Sequence, residues 1–598
     1  MNITARTRAL ITCVSLVGCF TALSARLVHV QVTKHRFYED QALAKHVKRQ
    51  PIFARRGTIF DINGEPLARN EPVRKVVADA SLIKVEDRDE MATLLAGLLG
   101  MPEGEVLEKL GREVDSKDSG KKVPAPYIVL KAEVADSLAD EITAQMAARK
   151  MRGIRFEQGM RRVYPNGQML CHVLGYVNSN DAGVDGVERT MDEFLRGEQG
   201  FRYTVIDGIG REIVAYRGQE HSASDGSNVR LTIDMGLQNI VEQELEAAIK
   251  KFRPKGATVV MMNPKTGEIL ALANRPDFNL NEQDEVKAVW RMNLAVSAQV
   301  EPGSTFKIVT VAGALNEGKV VPDTEFDCEN GRWEWCKLKD SHPTGILTVS
   351  NILVHSSNIG VAKIAMRLGD QKFFEYVHRF GFGEQTGVAL PGEISGLIHP
   401  PHTWSSISIT RMPMGQEVTA TPLQIVSAMS VIANGGSLML PQIVHEIADE
   451  HGQVRMAFPP REVRRVVSKK TTEQVRAALV EVTSANGTAK GAQVPGYKVA
   501  GKTGTAQKLE GGRYSNDKSV CSFVGFLPAE DPAFVLLVLI DEAQIKRRED
   551  FGGLVAAPVF ARIAERSARY LGLTPSYETP EGNVVAKAGS GGKHSRNP

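Results

Sequence analysis

An apolar run near the N-terminus constrains this chain more than any other feature of its sequence. Residues 9–25 carry no charge, two arginines precede them, and apolar residues continue beyond Arg26. The run is slightly shorter than the roughly 20 residues that a spanning helix needs, but the long side chain of Arg26 can extend towards the membrane surface and so lengthen the span. The sequence therefore predicts a single transmembrane helix over residues 9–32 after a short tail of residues 1–8.

The charges that flank this run predict its orientation. Arg6 and Arg8 stand on its N-terminal side, which places the tail in the cytoplasm and the rest of the chain outside it. Residues 34–49 are basic too, but long domains translocate largely regardless of charge. Two alternatives are a cleaved signal peptide and a lipoprotein signal, because residues 16–19 resemble a lipoprotein cleavage box. We predict a single-pass protein of the inner (plasma) membrane with a periplasmic body.

Length and composition predict a globular protein of two or three domains. The chain has 598 residues, more than one ordinary domain holds. Hydrophobic residues make up 42% and charged residues 24%, which allows a large buried core, and a net charge of +3 is too balanced to indicate nucleic acid as a partner. A polar stretch at residues 222–227 marks a domain boundary. The predicted divisions after the anchor are a basic linker over 33–50 that is helical over 37–50, a pedestal domain over 51–225, a second domain over 226–572 and a disordered tail over 573–598.

The pedestal shows both strand and helix patterns. Residues 55–68 alternate apolar and polar side chains before an Asn-Gly step, which predicts a β-hairpin. Apolar residues recur at helical spacing over 91–99 and 106–110, and residues 133–150 are a third helical segment. The sequence of the pedestal shows no constellation of acids or nucleophiles. This favours a pedestal that is an α+β spacer or docking module.

The second domain has predicted strands near both of its ends. An amphipathic helix is predicted over 236–252, and Pro558 is predicted to open a last helix that ends near Leu571. Strands at both ends of a domain with helices inserted between them predict one antiparallel sheet covered by helices, which is an α+β fold. The predicted strands are 258–262, 269–273, 522–527 and 534–540.

The candidate for a catalytic centre is the segment 301–307. Pro302 supplies a φ suited to a helix start, and Ser304 and Lys307 would then share one face of the helix. A desolvated lysine amine can take the proton of a serine hydroxyl, and a helix N-terminus favours negative charge on the oxygen. The segment therefore predicts an acylatable serine. Ser-x-x-Lys is weak by itself, since it recurs by chance at three serines, which are Ser81, Ser119 and Ser515.

Two later motifs supply partners for this serine. Ser356 and Asn358, two residues apart, can join a proton relay and hydrogen-bond a substrate amide. Lys502 offers positive charge, Thr503 offers a hydroxyl for a carboxylate, and Gly504 lets a substrate backbone lie close. The apolar stretch before these three residues places them on a strand. Each triplet also recurs by chance elsewhere, so the order of the motifs and their shared domain support the prediction.

Ser-x-x-Lys, Ser-x-Asn and Lys-Thr-Gly in this order form the signature of the penicillin-binding and β-lactamase serine acyltransferases. With that signature the chain resembles, over nearly its whole length, the class B penicillin-binding proteins, membrane-anchored peptidoglycan D,D-transpeptidases. Residues 56–61 and 162–165 resemble blocks of that family's elongated non-catalytic pedestal, and residues 501–507 with 522–529 resemble its septal, cell-division branch. Val300 departs from the aromatic residue expected there. The resemblance implies a serine β-lactamase-like transpeptidase domain at the C-terminus.

The resemblance implies a role for each residue of the first two motifs. Ser304 would attack the carbonyl of the penultimate D-Ala of a pentapeptide stem and release the terminal D-Ala. Lys307 would be its general base, and Ser356 would relay protons towards the leaving amine. Asn358 would hold the donor peptide.

The resemblance also makes the third motif a site for the terminal carboxylate of the substrate. Lys502 would supply positive potential, and Thr503 and Thr505 would bind the carboxylate beside Gly504. The backbone N–H groups of Ser304 and Thr505 would form the oxyanion hole. An amine of a neighbouring stem would then resolve the acyl-enzyme, whereas β-lactam antibiotics would stall there. The resemblance implies no metal or cofactor.

The resemblance further implies partners and a place of action. The substrates would be pentapeptide stems derived from lipid II, and the pedestal with the anchor would dock an FtsW-type glycosyltransferase and other membrane proteins of the divisome at the septum. Three alternatives stay open. They are a D,D-carboxypeptidase or β-lactamase with the same serine chemistry, a β-lactam-binding scaffold or sensor, and a transpeptidase of the elongation type.

Two cysteines of the second domain leave a further question open. Cys328 and Cys336 could close a small disulfide loop in an oxidising compartment. With Asp340 and His342 nearby, they could instead ligate zinc, or they could remain two unpaired thiols.

Overall fold

The structure of the protein is a computed structural model that describes residues 4–38, 47–115, 122–205, 220–283, 285–511, 513–545 and 551–577. The chain divides into two compact units. The first contains Met1–Arg56 and Arg196–Gly226, and the second contains Gly57–Leu195 and Ser227–Pro598.

The first unit contains the predicted anchor. A helix over Ala5–Val28 continues as a π-helical turn over His29–Thr33, and its apolar side chains are exposed. Within the described residues, Thr7–Thr33 is the one helical stretch long and apolar enough to cross a membrane, which fits a single-pass membrane protein. The unit also holds a three-stranded antiparallel sheet, in the order Val47–Ile52, Gly200–Val205, Glu220–His221.

The prediction that the linker is helical over residues 37–50 is wrong at its C-terminal end. Residues 47–50 belong to the strand Val47–Ile52, which pairs residue by residue with Gly200–Val205. The partner strand lies far along the chain, and pairing of this kind overrides a local helical preference. Residues 39–46 of the predicted linker lie outside the described residues.

The N-terminal part of the second unit combines a sheet with three helices. Strands Ile59–Phe60 and Pro66–Ala78 form the predicted hairpin, in which Ile59 pairs with Ala68. The three predicted helices pack around a separate small core, and they are Arg88–Leu99, Glu103–Leu110 and Asp136–Ala148. The sheet runs in the order Val454–Ala457, Val444–Ala448, Asn228–Leu231, Ile59–Phe60, Pro66–Ala78, Ile128–Val134, and Ile154–Val163 also pairs with Pro66–Ala78.

The C-terminal part of this unit is built on one five-stranded antiparallel sheet. Its strands are β1 (Gly256–Met262), β2 (Ile269–Arg275), β3 (Ala500–Glu510), β4 (Arg513–Leu527) and β5 (Phe534–Asp541), in the spatial order β2-β1-β5-β4-β3. Every residue of β1 is buried, as are the first seven residues of β5, because helices cover the sheet. The predicted antiparallel sheet and its β1–β2 hairpin are confirmed.

The longer elements between β2 and β3 are helices. The two that carry site residues are α1 (Lys307–Asn316) and α2 (Asn358–Leu368), and α3 (Gly552–Tyr570) follows β5. The other helices of this part are Met235–Phe252, Leu294–Ser297, Val349–Val354, Asp370–Arg379, Ser408–Arg411, Pro422–Ala433 and Lys469–Val482. Short strand pairs complete it, and they are Glu325–Asp327 with Ile346–Thr348, Arg332–Trp333 with Leu338–Lys339, and Ser437–Met439 with Glu462–Arg465.

The predicted start of the last helix is wrong. Pro558 was expected to open it, but α3 begins at Gly552 and contains the proline. The turn before Pro558 is helical because it docks on the sheet, where the N–H of Gly552 donates to Thr505 Oγ1 at 3.0 Å. This tertiary contact decides the helix start, whereas a proline only favours one.

The prediction of a disordered tail over residues 573–598 is wrong for residues 573–577. Tyr497 Oη donates to Leu573 O at 2.6 Å, and the N–H of Ser576 donates to Gly496 O at 2.7 Å. These hydrogen bonds tie residues 573–577 to the domain. Residues 578–598 lie outside the described residues.

Candidate active site

The segment that carries Ser304 is a helical turn held against a neighbouring loop. Pro302 has a φ of −68°, a 3₁₀ turn covers Gly303–Phe306, and α1 starts at Lys307. The N–H of Gly303 donates to Gly415 O at 3.3 Å, and a side chain at position 415 would lie 2.3 Å from Gly303 O. Glycine is therefore required at position 415 for the loop to support the nucleophile turn.

Ser356 stands in an unusual backbone conformation between two helices. It follows Val349–Val354 and has a φ of +56°, a left-handed value that is uncommon for a residue other than glycine. Ser357 then caps α2, since its Oγ accepts the N–H of Gly360 at 2.9 Å. Strain of this kind is frequent at functional sites, where the surrounding structure maintains it.

The three motifs converge on the Ser356 hydroxyl. Its Oγ lies 3.0 Å from Ser304 Oγ, 3.1 Å from Lys307 Nζ and 3.0 Å from Lys502 Nζ. Lys307 Nζ also donates to Ser356 O at 2.6 Å and to Asn358 Oδ1 at 2.7 Å. Among the described residues, the hydrogen bonds that connect the lysine of the first motif with its serine run through Ser356, whereas the sequence predicted a base directly beside the serine.

Strand β3 passes close to the nucleophile turn. A side chain at Gly504 would lie 2.3 Å from Ser522 Oγ and 3.1 Å from Pro302 O, so glycine is needed for this approach. Lys502 is fully buried, and its Nζ lies 3.3 Å from Thr503 Oγ1. Thr505 is half-buried on the same strand. The predicted strand position of the third motif is confirmed, and the strand lies beside the serine.

Burial controls the charge of both lysines of the site. Desolvation lowers the pKa of Lys307 well below its usual value, the nearby charge of Lys502 lowers it further, and Asp340 raises it. Desolvation also lowers the pKa of Lys502 to about 7. Such an amine can be neutral at physiological pH, which makes Lys307 able to accept a proton.

One residue of this site lies outside the three motifs. The sequence indicates Asp340 only as a possible zinc ligand, whereas in the structure its carboxylate accepts the N–H of Asn358 at 2.6 Å. Its position shortly before the Ser-x-Asn motif gave no signal, because a lone aspartate in a loop resembles any surface carboxylate.

Neither the disulfide nor the zinc site suggested for Cys328 and Cys336 is present among the described residues. Both are buried free thiols, so they make no disulfide. Within the part of the chain that the structure describes, no group of three His, Cys, Asp or Glu side chains could hold a metal ion. The side chain of Cys328 is instead buried beside Ser357, and burial raises the pKa of its thiol.

The site and fold together define a class of protein. A serine whose hydroxyl is linked through a second serine to buried lysines, beside the edge strand of an antiparallel sheet covered by helices, is the arrangement of a serine acyltransferase.

Family models match most of the chain. The penicillin binding protein transpeptidase domain matches residues 257–565, and the penicillin-binding protein dimerisation domain matches residues 51–231. The chain is 34% identical to stage V sporulation protein D of Bacillus subtilis, over 96% of this chain and 87% of that protein. It is 31% identical to the peptidoglycan D,D-transpeptidase FtsI of Escherichia coli, over 94% of this chain and 91% of that protein.

Solved structures share the fold. Penicillin binding protein 2X of Streptococcus thermophilus is similar with a TM-score of 0.71 and 25% identity, over 87% of this chain and 80% of that chain. Penicillin binding protein 3 of Mycobacterium tuberculosis, complexed with aztreonam, is similar with a TM-score of 0.66 and 26% identity, over 88% of this chain and 98% of that chain. The chain therefore belongs to the class B penicillin-binding proteins, and the one helix of its described residues that is long and apolar enough to span a membrane fits a single-pass protein of the inner membrane.

Proposed function

We propose that this chain is a peptidoglycan D,D-transpeptidase that cross-links stem peptides at the division septum through an acyl-enzyme on Ser304. One observation carries the proposal. The Ser356 hydroxyl lies within 3.1 Å of polar atoms of Ser304, Lys307 and Lys502, so three separate segments, 304–307, 356 and 502, meet at this hydroxyl. Similarity to FtsI of Escherichia coli, a peptidoglycan D,D-transpeptidase, supports the same substrate class for this chain.

The hydrogen bonds of Lys307 give the proton a direction. A neutral amine has two N–H groups and one lone pair. Ser356 O and Asn358 Oδ1 can only accept, and at 2.6 and 2.7 Å they take both N–H groups. Lys307 Nζ donates to Ser356 Oγ at 3.1 Å, and Ser356 Oγ donates to Ser304 Oγ at 3.0 Å. When Lys307 is neutral, its lone pair is left for Ser356 and both hydrogen bonds reverse, so that Ser356 donates its O–H to Lys307 and accepts the O–H of Ser304. Ser356 therefore passes the proton from nucleophile to base.

In the first half-reaction, Ser304 Oγ bonds to the carbonyl carbon of the penultimate D-Ala. Its proton moves to Ser356, while the Ser356 proton moves to Lys307. The backbone N–H groups of Ser304 and Thr505 stabilise the oxyanion, and one such donor is typically worth about 3 kcal/mol. When the intermediate collapses, the C–N bond breaks and a proton returns along the same path to the leaving nitrogen, so that D-Ala departs as an amine.

The substrate is held by groups on both sides of the serine. Asn358 Nδ2 donates one hydrogen to Lys339 O at 2.9 Å and keeps a second for a carbonyl of the donor peptide. Lys502 with Thr503 and Thr505 binds the terminal carboxylate, which restores the proton affinity that burial removes from the lysine.

In the second half-reaction, an amine of a neighbouring stem attacks the ester carbon. Lys307 takes the proton of that amine through Ser356, a new C–N bond forms, and Ser304 leaves with its proton restored. A β-lactam opens its ring on the same serine, but its leaving nitrogen stays attached to the acyl group. The enzyme then remains acylated.

The experiment that tests the acylation maps a covalent adduct. Full-length chain in detergent is incubated with labelled penicillin, its intact mass is measured, and the modified peptide is sequenced. We expect one stoichiometric adduct on Ser304 and none on the Ser304→Ala variant. An adduct on another residue overturns the proposal, and rapid turnover of nitrocefin without trapping indicates a β-lactamase instead.

The proposal also includes a place of action. The N-terminal tail is in the cytoplasm and the acyltransferase domain in the periplasm, since two arginines precede the anchor. A fluorescent fusion is expected at midcell during division, whereas a lateral-wall pattern without midcell enrichment would indicate an elongation role.

An FtsW-type glycosyltransferase is the proposed membrane partner, bound through the pedestal and the anchor. Replacement of Ala5–Val28 by an unrelated spanning helix is expected to abolish co-purification of the two proteins. Unchanged co-purification contradicts binding through the anchor.

A further inference from the structure

A carboxylate outside the three motifs holds part of the site in place. Asp340 Oδ1 accepts hydrogen bonds from the backbone N–H groups of Asn358 at 2.6 Å and Ile359 at 3.0 Å. Asp340 Oδ2 accepts hydrogen bonds from the hydroxyls of Ser357 and Thr344, each at 2.6 Å. Hydrogen bonds to a charged acceptor are roughly twice as strong as neutral ones. Four such hydrogen bonds fix the position of the Asp340 carboxylate relative to its neighbours.

Three of these four donors belong to the stretch directly after Ser356. The left-handed conformation of Ser356 needs support from its surroundings. Asp340 gives that support at the N-terminus of α2, where the first N–H groups have no partner inside the helix and negative charge is favourable. The adjacent Lys339 O accepts Asn358 Nδ2 at 2.9 Å. The segment 339–340 therefore holds both the backbone and the side chain of Asn358.

Asp340 also acts on Lys307 through its charge. Burial and the positive charge of Lys502 lower the pKa of Lys307, and the negative charge of Asp340 raises it. Lys307 Nζ and Lys502 Nζ both bond Ser356 Oγ, at 3.1 and 3.0 Å. Asp340 Oδ1 accepts the N–H of Asn358, whose own Oδ1 accepts Lys307 Nζ at 2.7 Å. Lys502 and Asp340 therefore shift the pKa of Lys307 in opposite directions.

We propose that Asp340 is a positioning residue for acylation, whose carboxylate holds the Ser356–Asn358 turn against Lys307 and whose charge sets the pH range in which Lys307 accepts a proton. The inference rests on the proposed function, because it concerns the acylation of Ser304. It adds a residue that touches no substrate and acts through its neighbours.

The first test removes the charge and keeps the shape. In Asp340→Asn, the amide oxygen still accepts the two backbone N–H groups, and the amide nitrogen can donate to the hydroxyls of Ser357 and Thr344. Loss of the negative charge favours neutral Lys307. The acidic limb of the acylation rate with fluorescent penicillin should therefore move to lower pH by about one pH unit. The measurement uses full-length chain in detergent, and thermal melting checks that the variant is folded.

The second test keeps the charge and changes the geometry. Asp340→Glu moves the carboxylate by one methylene, so the acidic limb should stay near its wild-type position. The plateau rate should fall about 10-fold to 100-fold, because displacement of a reacting group by about 1 Å costs that much. A merely structural role would leave the acidic limb at its wild-type pH in both variants. The contrast between the two variants therefore separates the effect of charge from the effect of position.

The matched control is Asp370→Asn, which removes an equal charge from the first turn of the helix Asp370–Arg379. It should leave the acidic limb unchanged. An equal shift in this control, or an unshifted limb in folded Asp340→Asn, overturns the charge role. A wild-type plateau rate in Asp340→Glu overturns the positioning role.

If Asp340→Asn does not fold, Thr344→Val takes its place as a variant that removes one hydrogen bond of the carboxylate, and a wild-type plateau rate there also overturns positioning. Absence of a Ser304 adduct in wild type contradicts the proposed function itself.

Discussion

At the scale of single residues, Ser356 differs from the other hydroxyls of the site in the number of its polar neighbours. Its Oγ has three of them, of which Ser304 and Lys307 belong to the first motif and Lys502 belongs to the third. A hydroxyl can donate one hydrogen bond and accept two. Ser356 has a polar neighbour for each of these three hydrogen bonds, as the proposed proton relay requires.

Replacement of Ser356 by alanine is expected to slow acylation by about 10²–10⁴-fold, the usual contribution of general acid–base catalysis. The variant leaves Ser304 and Lys307 in place but removes the hydroxyl that joins them. Stopped-flow or gel-based acylation with fluorescent penicillin measures the effect. Ser350→Ala, which removes a hydroxyl bonded to Pro322 O, is the control and should react at the wild-type rate. A Ser356→Ala rate within threefold of wild type contradicts the relay.

Lys502 lowers the stability of the fold at neutral pH because its amine is buried. It is fully buried and its pKa falls from 10.5 to about 7, so between these pH values the unfolded state binds a proton that the folded state does not. Stability therefore rises as the pH increases from about 7 to about 10.5. At pH 7 and below, the buried lysine destabilises the fold.

We therefore expect Lys502→Met to raise the free energy of unfolding at pH 7 by about 2–4 kcal/mol while acylation is lost. Methionine has similar length and brings no charge to bury. Denaturant unfolding of the full-length chain at pH 7 and at pH 10 measures the difference, which should shrink at the higher pH. The control is Lys490→Met at an exposed position, which should change the stability by little at either pH. A destabilised Lys502→Met would show that the hydrogen bonds of the lysine outweigh its desolvation.

At the scale of elements, the start of α3 is packed directly behind the third motif. A side chain at Gly552 would lie 2.4 Å from both Gly504 O and Ser522 O. The helix N-terminus can approach β3 only because this residue has no side chain. The contact places a hydrogen-bond donor on Thr505 Oγ1 and so fixes one end of the proposed carboxylate site.

Gly552→Ala is expected to push α3 away from β3, which should destabilise the protein by about 1–3 kcal/mol and weaken carboxylate binding. Acylation kinetics should show a larger rise in the apparent KM for penicillin than fall in the limiting rate. Gly104→Ala is the matched control, since no atom lies within 4 Å of the added carbon there. Equal behaviour of the two variants contradicts a role for the close contact.

At the scale of the whole molecule, a buried ion pair connects distant segments of the second unit. Arg162 Nε donates to Glu188 Oε1 at 2.7 Å, and Arg162 Nη1 donates to Gly57 O at 2.8 Å and to Asn70 Oδ1 at 3.0 Å. Both side chains of the pair are at most 2% exposed. The hairpin region that holds Gly57 and Asn70 is thus connected to the segments around Arg162 and Glu188 through one guanidinium group.

Glu188→Ala should lower the free energy of unfolding by about 3–5 kcal/mol, because it leaves the Arg162 charge buried without a counter-charge. The double variant Arg162→Met with Glu188→Ala removes both charges and should be more stable than Glu188→Ala alone. Glu71→Ala breaks exposed ion pairs and should cost less than about 1 kcal/mol. Denaturant unfolding of the full-length chain gives all three values, and a Glu188→Ala effect no larger than that of Glu71→Ala contradicts the role of the pair.

Elements with strong local patterns could be predicted from the sequence. The β1–β2 hairpin, the helix Met235–Phe252 and the pedestal hairpin have alternation, helical spacing or turn residues within a short window. The strand Val47–Ile52 and the start of α3 could not be predicted, because their partners lie far away in the sequence. Local preference decides an element only where no distant contact competes with it.

The residue types of the candidate site follow from the sequence by itself, because a nucleophile, a base and a carboxylate-binding group are each defined by their chemistry. Their order in one domain was enough to predict a serine acyltransferase. Only the tertiary structure decided that Lys307 reaches Ser304 through Ser356, that both lysines are buried, and that Asp340 supports the turn. Distances and burial depend on how separate segments pack, and no short stretch of sequence contains that information.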